Sequence, residues 1–154
     1  MKRMFFLLIM FFVSILFVFS QNDPKMAVGL GPEINMNSRE NFALGVVLGF
    51  NYNLASSYAV GVTIAASNNL SGISVIEPAA LFRWYFLGRE SGWFAQADAG
   101  GYFVFEDGEI STLFMAGLKG GLRMPFGTRF YIEPHLRVGY PFLFGIGAMA
   151  GMKF

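Results

Sequence analysis

The chain has 154 residues, of which 55% are hydrophobic, 18% aromatic and 14% charged, with a formal net charge of +1. This length predicts one domain, and the composition is too apolar for an ordinary soluble one. The absence of cysteine excludes disulfides, thiolate metal sites, a cysteine nucleophile and an acylated lipoprotein cysteine. No basic patch suggests a nucleic-acid partner.

The first twenty residues have the pattern of a secretory signal peptide. Two basic residues precede a run of sixteen residues that is apolar except for one serine, and Ser20 supplies a small residue before Gln21. We predict a signal peptide over 1–20, cleaved between Ser20 and Gln21, and one mature domain over 21–154. A retained anchor is the alternative, but sixteen helical residues span only about 24 Å of a hydrocarbon core roughly 30 Å thick.

The rest of the chain divides into eight segments with alternating apolar and small or polar residues, separated by turn-rich clusters. No apolar run here approaches the roughly 20 residues of a spanning helix. Because only helices and closed barrels satisfy every backbone polar group in lipid, this pattern predicts an all-β, eight-stranded antiparallel up-and-down transmembrane β-barrel. The alternative is a β-sandwich with an aromatic core. The predicted strands are 25–36, 41–54, 58–67, 73–87, 93–105, 112–124, 129–140 and 142–154.

The seventh segment shows the alternation most completely. Its even-numbered residues from Phe130 to Tyr140 are all apolar or aromatic, whereas its odd-numbered residues include Glu133, His135 and Arg137. A period of two predicts a strand with two chemically different faces.

Side-chain size predicts which face points inward. The lumen of an eight-stranded barrel is narrow and favours small residues, while a lipid-facing surface accepts bulky ones. The first three strands and the last set a bulky face against one rich in glycine, alanine, asparagine and threonine, and the charged residues within the strands share this smaller face. We therefore predict a lumen charge network of Glu33, Glu77, Arg83, Asp98, Lys119, Arg123, Glu133, His135 and Arg137.

Aromatic residues near the strand ends of the outward face predict two interfacial girdles. The expected members are Tyr52, Tyr58, Trp84, Phe86, Trp93 and Phe130 at one rim, and Phe42, Phe105, Tyr140 and Phe142 at the other. The last strand is expected to point Phe142, Phe144, Met152 and Phe154 outward, and Leu143 and Met149 inward. Pro32, Pro78 and Pro134 predict β-bulges, because proline forfeits a ladder hydrogen bond.

The near balance of inward acids and bases predicts ion pairing, because unpaired charge in a narrow interior is costly. Strand directions predict two pairs on adjacent strands, Arg83 with Asp98 and Arg123 with Glu133. The sequence Ile-Glu-Pro at 76–78 recurs at 132–134, each time with an arginine a few residues later. A salt-bridged plug is the leading interpretation of these charges, and a proton or ion path is the alternative.

The lone histidine, His135, does not indicate a metal site or a catalytic triad, since both need partners of other kinds beside it. No serine lies on the seventh segment. We therefore expect no catalytic residue, no metal and no cofactor. Met149 and Leu143 indicate a modest apolar pocket near one mouth as an alternative binding site.

Three stretches resemble the small outer-membrane β-barrel superfamily, which includes the OmpA transmembrane domain, OmpX and OmpW-type proteins: 48–53, 82–86 and 131–142. The resemblance covers nearly the whole mature chain. It also implies that the terminal Phe154, with Met152 and alanines at alternate positions before it, is the signal read by the outer-membrane assembly machinery. No peptidoglycan-binding domain follows the barrel, so no tether to the cell wall is expected.

These features predict a monomeric, non-enzymatic protein of the Gram-negative outer membrane that contacts its lipids. Its expected role is structural, in envelope integrity, with a plugged polar lumen. Binding or transport of a small, partly apolar molecule, as the OmpW-type resemblance implies, is the alternative, and lipid modification by an enzymatic barrel is the third.

Overall fold

The computed structural model describes residues 25–37, 41–69, 72–87 and 91–154. The predicted signal peptide and its cleavage position at Ser20 and Gln21 lie outside these residues. No helix among the described residues is long and apolar enough to cross a membrane.

The described residues form eight strands joined by short turns. Their bounds match the eight predicted segments closely, except that β6 extends several residues farther at its start. The strands are β1 Met26–Asn37, β2 Asn41–Ala55, β3 Tyr58–Asn69, β4 Ser74–Tyr85, β5 Gly92–Glu106, β6 Glu109–Phe126, β7 Phe130–Tyr140 and β8 Phe142–Lys153.

The eight strands close into one antiparallel barrel in sequence order, with β1 paired to both β2 and β8. The predicted up-and-down barrel is therefore confirmed. Following paired residues around the barrel from Met26 leads back to β1 at Met36, a shear of ten residues. Closure leaves no free sheet edge, and the strands tilt to accommodate the shear.

The barrel has two distinguishable ends. We call the end that carries Lys25 and Phe154 the terminal end, and backbone hydrogen bonds between Met26 and Phe154 join the chain there. At the opposite end the β5–β6 hairpin turns at Asp107 and Gly108, both with positive φ. Residues 109–114 of this hairpin are exposed on both faces, so the hairpin projects beyond the barrel rim.

The two faces of each strand differ as the alternation predicted. In β4 the residues from Val75 to Tyr85 alternate strictly, with every odd-numbered side chain buried inside. The outward face exposes large apolar side chains on every strand, while the inward face holds the buried charges. Aromatic contacts mark the terminal-end rim, where Trp84 packs edge-on against Phe86 with ring centroids 4.9 Å apart.

The predicted orientation of the first residues of β8 is wrong. The register shifts by one residue, because Met36 pairs with Phe144 whereas Asn37 pairs with Phe142. The extra residue is Leu143, which turns outward and is 55% exposed, while Phe142 turns into the lumen and is buried. A β-bulge inverts the alternation on one side of itself, so Phe142 does not belong to the outward girdle.

The prediction that the prolines mark β-bulges is also wrong. The β1–β8, β4–β5 and β6–β7 ladders each lose two consecutive pairs beside Pro32, Pro78 and Pro134, but the register resumes unchanged. Each proline keeps its pairing with the neighbour on the other side, as Pro134 does with Ala148. The missing N–H therefore interrupts one ladder without inserting a residue.

The outward face predicts a strong dependence on position for inserted charge. Ile64 lies in the middle of β3 on this face, whereas Ile110 lies on the projecting hairpin. For protein refolded into lipid vesicles, we expect Ile64→Arg to lower the free energy of unfolding by about 2–4 kcal/mol. The matched Ile110→Arg change should cost only about 0–1 kcal/mol. Urea titration measures both, and equal losses would contradict the assignment of the outward face to lipid.

Candidate functional site: the charged lumen

The candidate site is the interior of the barrel, where the charged side chains meet. All nine residues of the predicted lumen network point inward and are buried. Their backbone positions come from the alternation of β1, β4, β5, β6 and β7, which carries every odd-numbered residue of β7 into the lumen. The structure gathers seven of them into two clusters, with Asp98 and Lys119 between the clusters.

The terminal-end cluster consists of Arg83, Arg123, Glu133 and Gln96. Arg83 donates from Nη1 and Nη2 to the two carboxylate oxygens of Glu133, over 2.8 and 2.9 Å. Arg123 donates from Nε to the same carboxylate over 2.7 Å. This cluster places two cations on one anion.

Aromatic rings enclose the arginines of this cluster. The Cζ atom of Arg83 lies 4.0 Å from the centroid of the Phe94 ring, and that of Arg123 lies 4.1 Å from the Tyr131 ring. Cation–π contacts of this kind are worth more where water is excluded. The rings therefore help to compensate the burial of guanidinium groups.

The opposite-end cluster consists of Glu33, Glu77, Arg137, His135 and Asn35. Arg137 donates from Nη1 and Nη2 to Glu77 over 2.7 and 3.1 Å, and its Nε lies 2.8 Å from Glu33. Nε2 of His135 lies 3.0 Å from Glu33. Here one arginine contacts two carboxylates, whereas in the terminal-end cluster two arginines contact one.

The recurring Ile-Glu-Pro sequence has a structural meaning. The arginine that follows each copy binds the glutamate of the other copy, so that Arg83 reaches Glu133 and Arg137 reaches Glu77. Both bridges join β4 to β7, which are three strands apart in the barrel. They therefore cross the lumen, and we call them the reciprocal bridges.

Glycines of β8 make room for the large side chains of β7. Gly145 pairs with Arg137 and Gly147 pairs with His135. A Cβ on Gly147 would lie 2.9 Å from Nε2 of His135, and one on Gly145 would lie 3.0 Å from Nε of Arg137. The absence of these two Cβ atoms lets both β7 side chains pass over β8 to Glu33 on β1.

The predicted partner of Arg83 differs from the one in the structure. Arg83 does not pair with Asp98, because Gln96 stands directly opposite it and accepts from its Nε over 2.8 Å. Gln96 in turn donates to Asp98 over 2.7 Å. Arg123 and Glu133, the other predicted pair, are bonded, whereas Lys119 is buried and has no ion pair within 4.0 Å among the described residues.

Other residues that the sequence analysis did not assign to the lumen network complete the site. Gln96 and Asn35 accept from arginines, and Phe142 lies 3.9 Å from Cζ of Arg137. All of them except Phe142 lie at the inward positions of the alternation, which was the available signal. Beyond the opposite-end cluster, Phe142 joins Val75, Ala79, Tyr102 and Met115 in an apolar cluster inside the barrel.

The two residues of the predicted apolar pocket do not face each other. Met149 is buried in the lumen and packs with Val47 and Ala65, while Leu143 is outside. Phe154, expected on the outward face, is only 8% exposed. No group of three or more potential metal ligands occurs among the described residues.

Comparison with known proteins finds matches in structure only. No protein-family model matches the sequence, and no curated protein matches it. The solved structure of neisserial surface protein A has a TM-score of 0.63 and 12% identity, covering 84% of this chain and 96% of that one. The fold is that of the small outer-membrane β-barrels.

Two further small outer-membrane barrels, both from Pseudomonas aeruginosa, match similarly. The N-terminal β-barrel domain of OprF has a TM-score of 0.60 and 14% identity, covering 86% of this chain and 100% of that one. The outer-membrane protein OprG has a TM-score of 0.59 and 11% identity, covering 87% and 97%. Identities this low establish a shared fold and no more.

The unequal clusters predict unequal effects of neutralising an acid. Glu133→Gln leaves two guanidinium groups without their carboxylate, so we expect a loss of about 3–5 kcal/mol in the free energy of unfolding. Glu77→Gln should cost less, because Arg137 retains Glu33 and Asn35.

Urea unfolding of protein refolded into lipid vesicles measures both variants. Glu109→Gln is the control, since Glu109 is exposed on the hairpin and its loss should stay within about 0.5 kcal/mol. A larger loss for Glu77→Gln than for Glu133→Gln would contradict the described pairing.

Proposed function

We propose that this chain is an integral protein of the Gram-negative outer membrane with a structural role in envelope integrity, and that its lumen is closed to solutes. The observation that carries the closed lumen is the pair of reciprocal bridges between β4 and β7. A solute moving along the axis would have to pass both bridges, each made by a buried arginine and glutamate.

The outward face supports the location in a membrane. Bulky apolar side chains cover it on all eight strands, and a closed barrel leaves no unpaired sheet edge for lipid to contact. Lipid is the environment that would solvate such a surface. The outer-membrane barrels of similar fold agree with this location.

The lumen is better suited to bracing the barrel than to chemistry. Each arginine of the two clusters is held by acceptors and by an aromatic ring, and the lone histidine lies between Glu33 and the backbone carbonyl of Glu133. Ion pairs that cross the interior tie together strands that share no ladder. We therefore propose a non-enzymatic barrel that needs no cofactor, and we retain the expectation that it is a monomer.

The route to the membrane is part of the same proposal. Residues 1–20 would direct export through the inner membrane and be removed between Ser20 and Gln21. Phe154 would then present the C-terminal strand to the assembly machinery before β8 pairs with β1. Pairing of β8 with β1, which includes the hydrogen bonds between Phe154 and Met26, would then close the barrel.

Planar-bilayer recording tests the closed lumen. We expect the wild-type protein to give no steady, reproducible channels. Removing one partner from each reciprocal bridge, in the variant Glu77→Ala/Glu133→Ala, should produce conducting channels because both crossings are then broken.

The matched control for this recording is Leu136→Ala, which truncates an outward residue of β7 between two lumen residues. It should remain silent. A mobility shift on heating in detergent gels confirms that each variant is folded, and steady channels from the wild type would refute the closed lumen.

A further inference from the structure

Charge is distributed unevenly along the barrel axis. Among the described residues, the charged side chains at the terminal end beyond the lumen are all basic, namely Lys25, Arg129 and Lys153, whereas those on the hairpin at the opposite end are all acidic, namely Glu106, Asp107 and Glu109. The clusters inside follow the same trend, since the terminal-end cluster has two arginines on one glutamate. The terminal-end mouth is therefore positive.

Arg123 has unused hydrogen-bonding capacity in this mouth. Its Nε is bonded to Glu133, but Nη1 and Nη2 are buried and have no hydrogen-bond partner among the described residues. A buried, unpaired guanidinium N–H is costly, because it has lost water without gaining an acceptor. Two such groups on one side chain present a fork of donors.

Further polar groups without a partner lie around this fork. The hydroxyls of Tyr85 and Tyr131 are buried and unpaired among the described residues, and the centroids of their rings lie 5.5 and 4.1 Å from Cζ of Arg123. Both amide atoms of Asn53 are unpaired as well. Asn53 is on β2, four strands from β6 in a barrel of eight, so it stands across the lumen from Arg123.

We propose that the terminal-end mouth of the lumen is a binding site for a small oxyanion, such as phosphate or a carboxylate. Nη1 and Nη2 of Arg123 donate to its oxygens, and the hydroxyls of Tyr85 and Tyr131 complete the donor set. A guanidinium fork matches two oxygens of such an anion. The positive mouth raises the local concentration of anions.

This site is distinct from the reciprocal bridges and does not depend on whether the lumen conducts. Glu133 uses Nε of Arg123 and both Nη atoms of Arg83. The Nη groups of Arg123 are thus available without breaking an ion pair. Water molecules in the mouth could satisfy the same donors. A mouth that holds only water would not distinguish an oxyanion from chloride.

Isothermal titration of the refolded protein with inorganic phosphate, in maltoside micelles that contain no phosphate, tests the site. We expect saturable binding that chloride at equal ionic strength does not reproduce. The double variant Tyr85→Phe/Tyr131→Phe removes only two hydroxyls and should weaken phosphate binding about tenfold or more. The matched control Tyr52→Phe/Tyr58→Phe, on the outward face, should leave it unchanged.

Arg123→Gln should abolish phosphate binding, and a heat-induced mobility shift checks that this variant folds. If it does not fold, the Tyr85→Phe/Tyr131→Phe variant still decides the test. Vesicles that carry a phosphomonoester lipid separate two sources of the anion. Competition with inorganic phosphate would assign the site to a lipid headgroup, and lack of competition to a soluble anion. Absence of saturable phosphate binding, or equal affinity in the wild type and the Tyr85→Phe/Tyr131→Phe variant, would overturn the proposal.

Discussion

A charge buried inside a closed eight-stranded barrel is stabilised by a counter-charge or a polar group on another inward side chain, because neither lipid nor bulk water is available to it. This constraint governs the lumen. Four inward acids and four inward bases are divided between the two clusters and the intermediate Asp98 and Lys119. Arg83 and Arg137 reach across the interior, whereas Arg123 binds Glu133 on the neighbouring strand. Glycines, aromatic rings and amides are placed where they allow those arginines to extend.

The strand β7 is central to this arrangement. Its inward residues contact partners on β1, β4 and β6, and its neighbour β8 has glycines opposite Arg137 and His135. The two clusters have excess charge of opposite sign: the terminal-end cluster is positive and the opposite-end cluster is negative. The charged side chains outside the lumen follow the same trend, basic at the terminal end and acidic on the opposite hairpin. For this reason only the terminal-end mouth is proposed as an anion site.

Alternation predicted the strands and their faces well because side-chain orientation in a strand has a period of two and the barrel separates charge from lipid strictly. It predicted one of the two ion pairs, Arg123 with Glu133, and missed the other. Arg83 was assigned to Asp98 on the neighbouring strand, but a guanidinium on a long side chain reaches Glu133 across the lumen once Gln96 occupies the adjacent position.

The extra residue at Leu143 could not be predicted either. The residues around it are all apolar, so the sequence fits either assignment of inward and outward positions. The effect of the extra residue is large locally: Phe142 enters the lumen and stacks on Arg137. At the prolines the error was the opposite one: bulges were predicted but are absent, because a missing N–H interrupts a ladder without inserting a residue. Alternation thus predicts orientation except where a residue is inserted, while contacts across the lumen depend on shear and side-chain reach.

A double-mutant cycle on the refolded barrel tests the central claim, that ion pairs cross the lumen. The cycle combines Arg83→Met with Glu133→Gln, and a parallel cycle combines Arg83→Met with Asp98→Asn. The described geometry predicts a coupling energy of about 0.5–3 kcal/mol for Arg83 with Glu133 and a much smaller one for Arg83 with Asp98. Coupling confined to Arg83 and Asp98 would contradict it, because the charges would then pair between neighbouring strands and leave the lumen uncrossed.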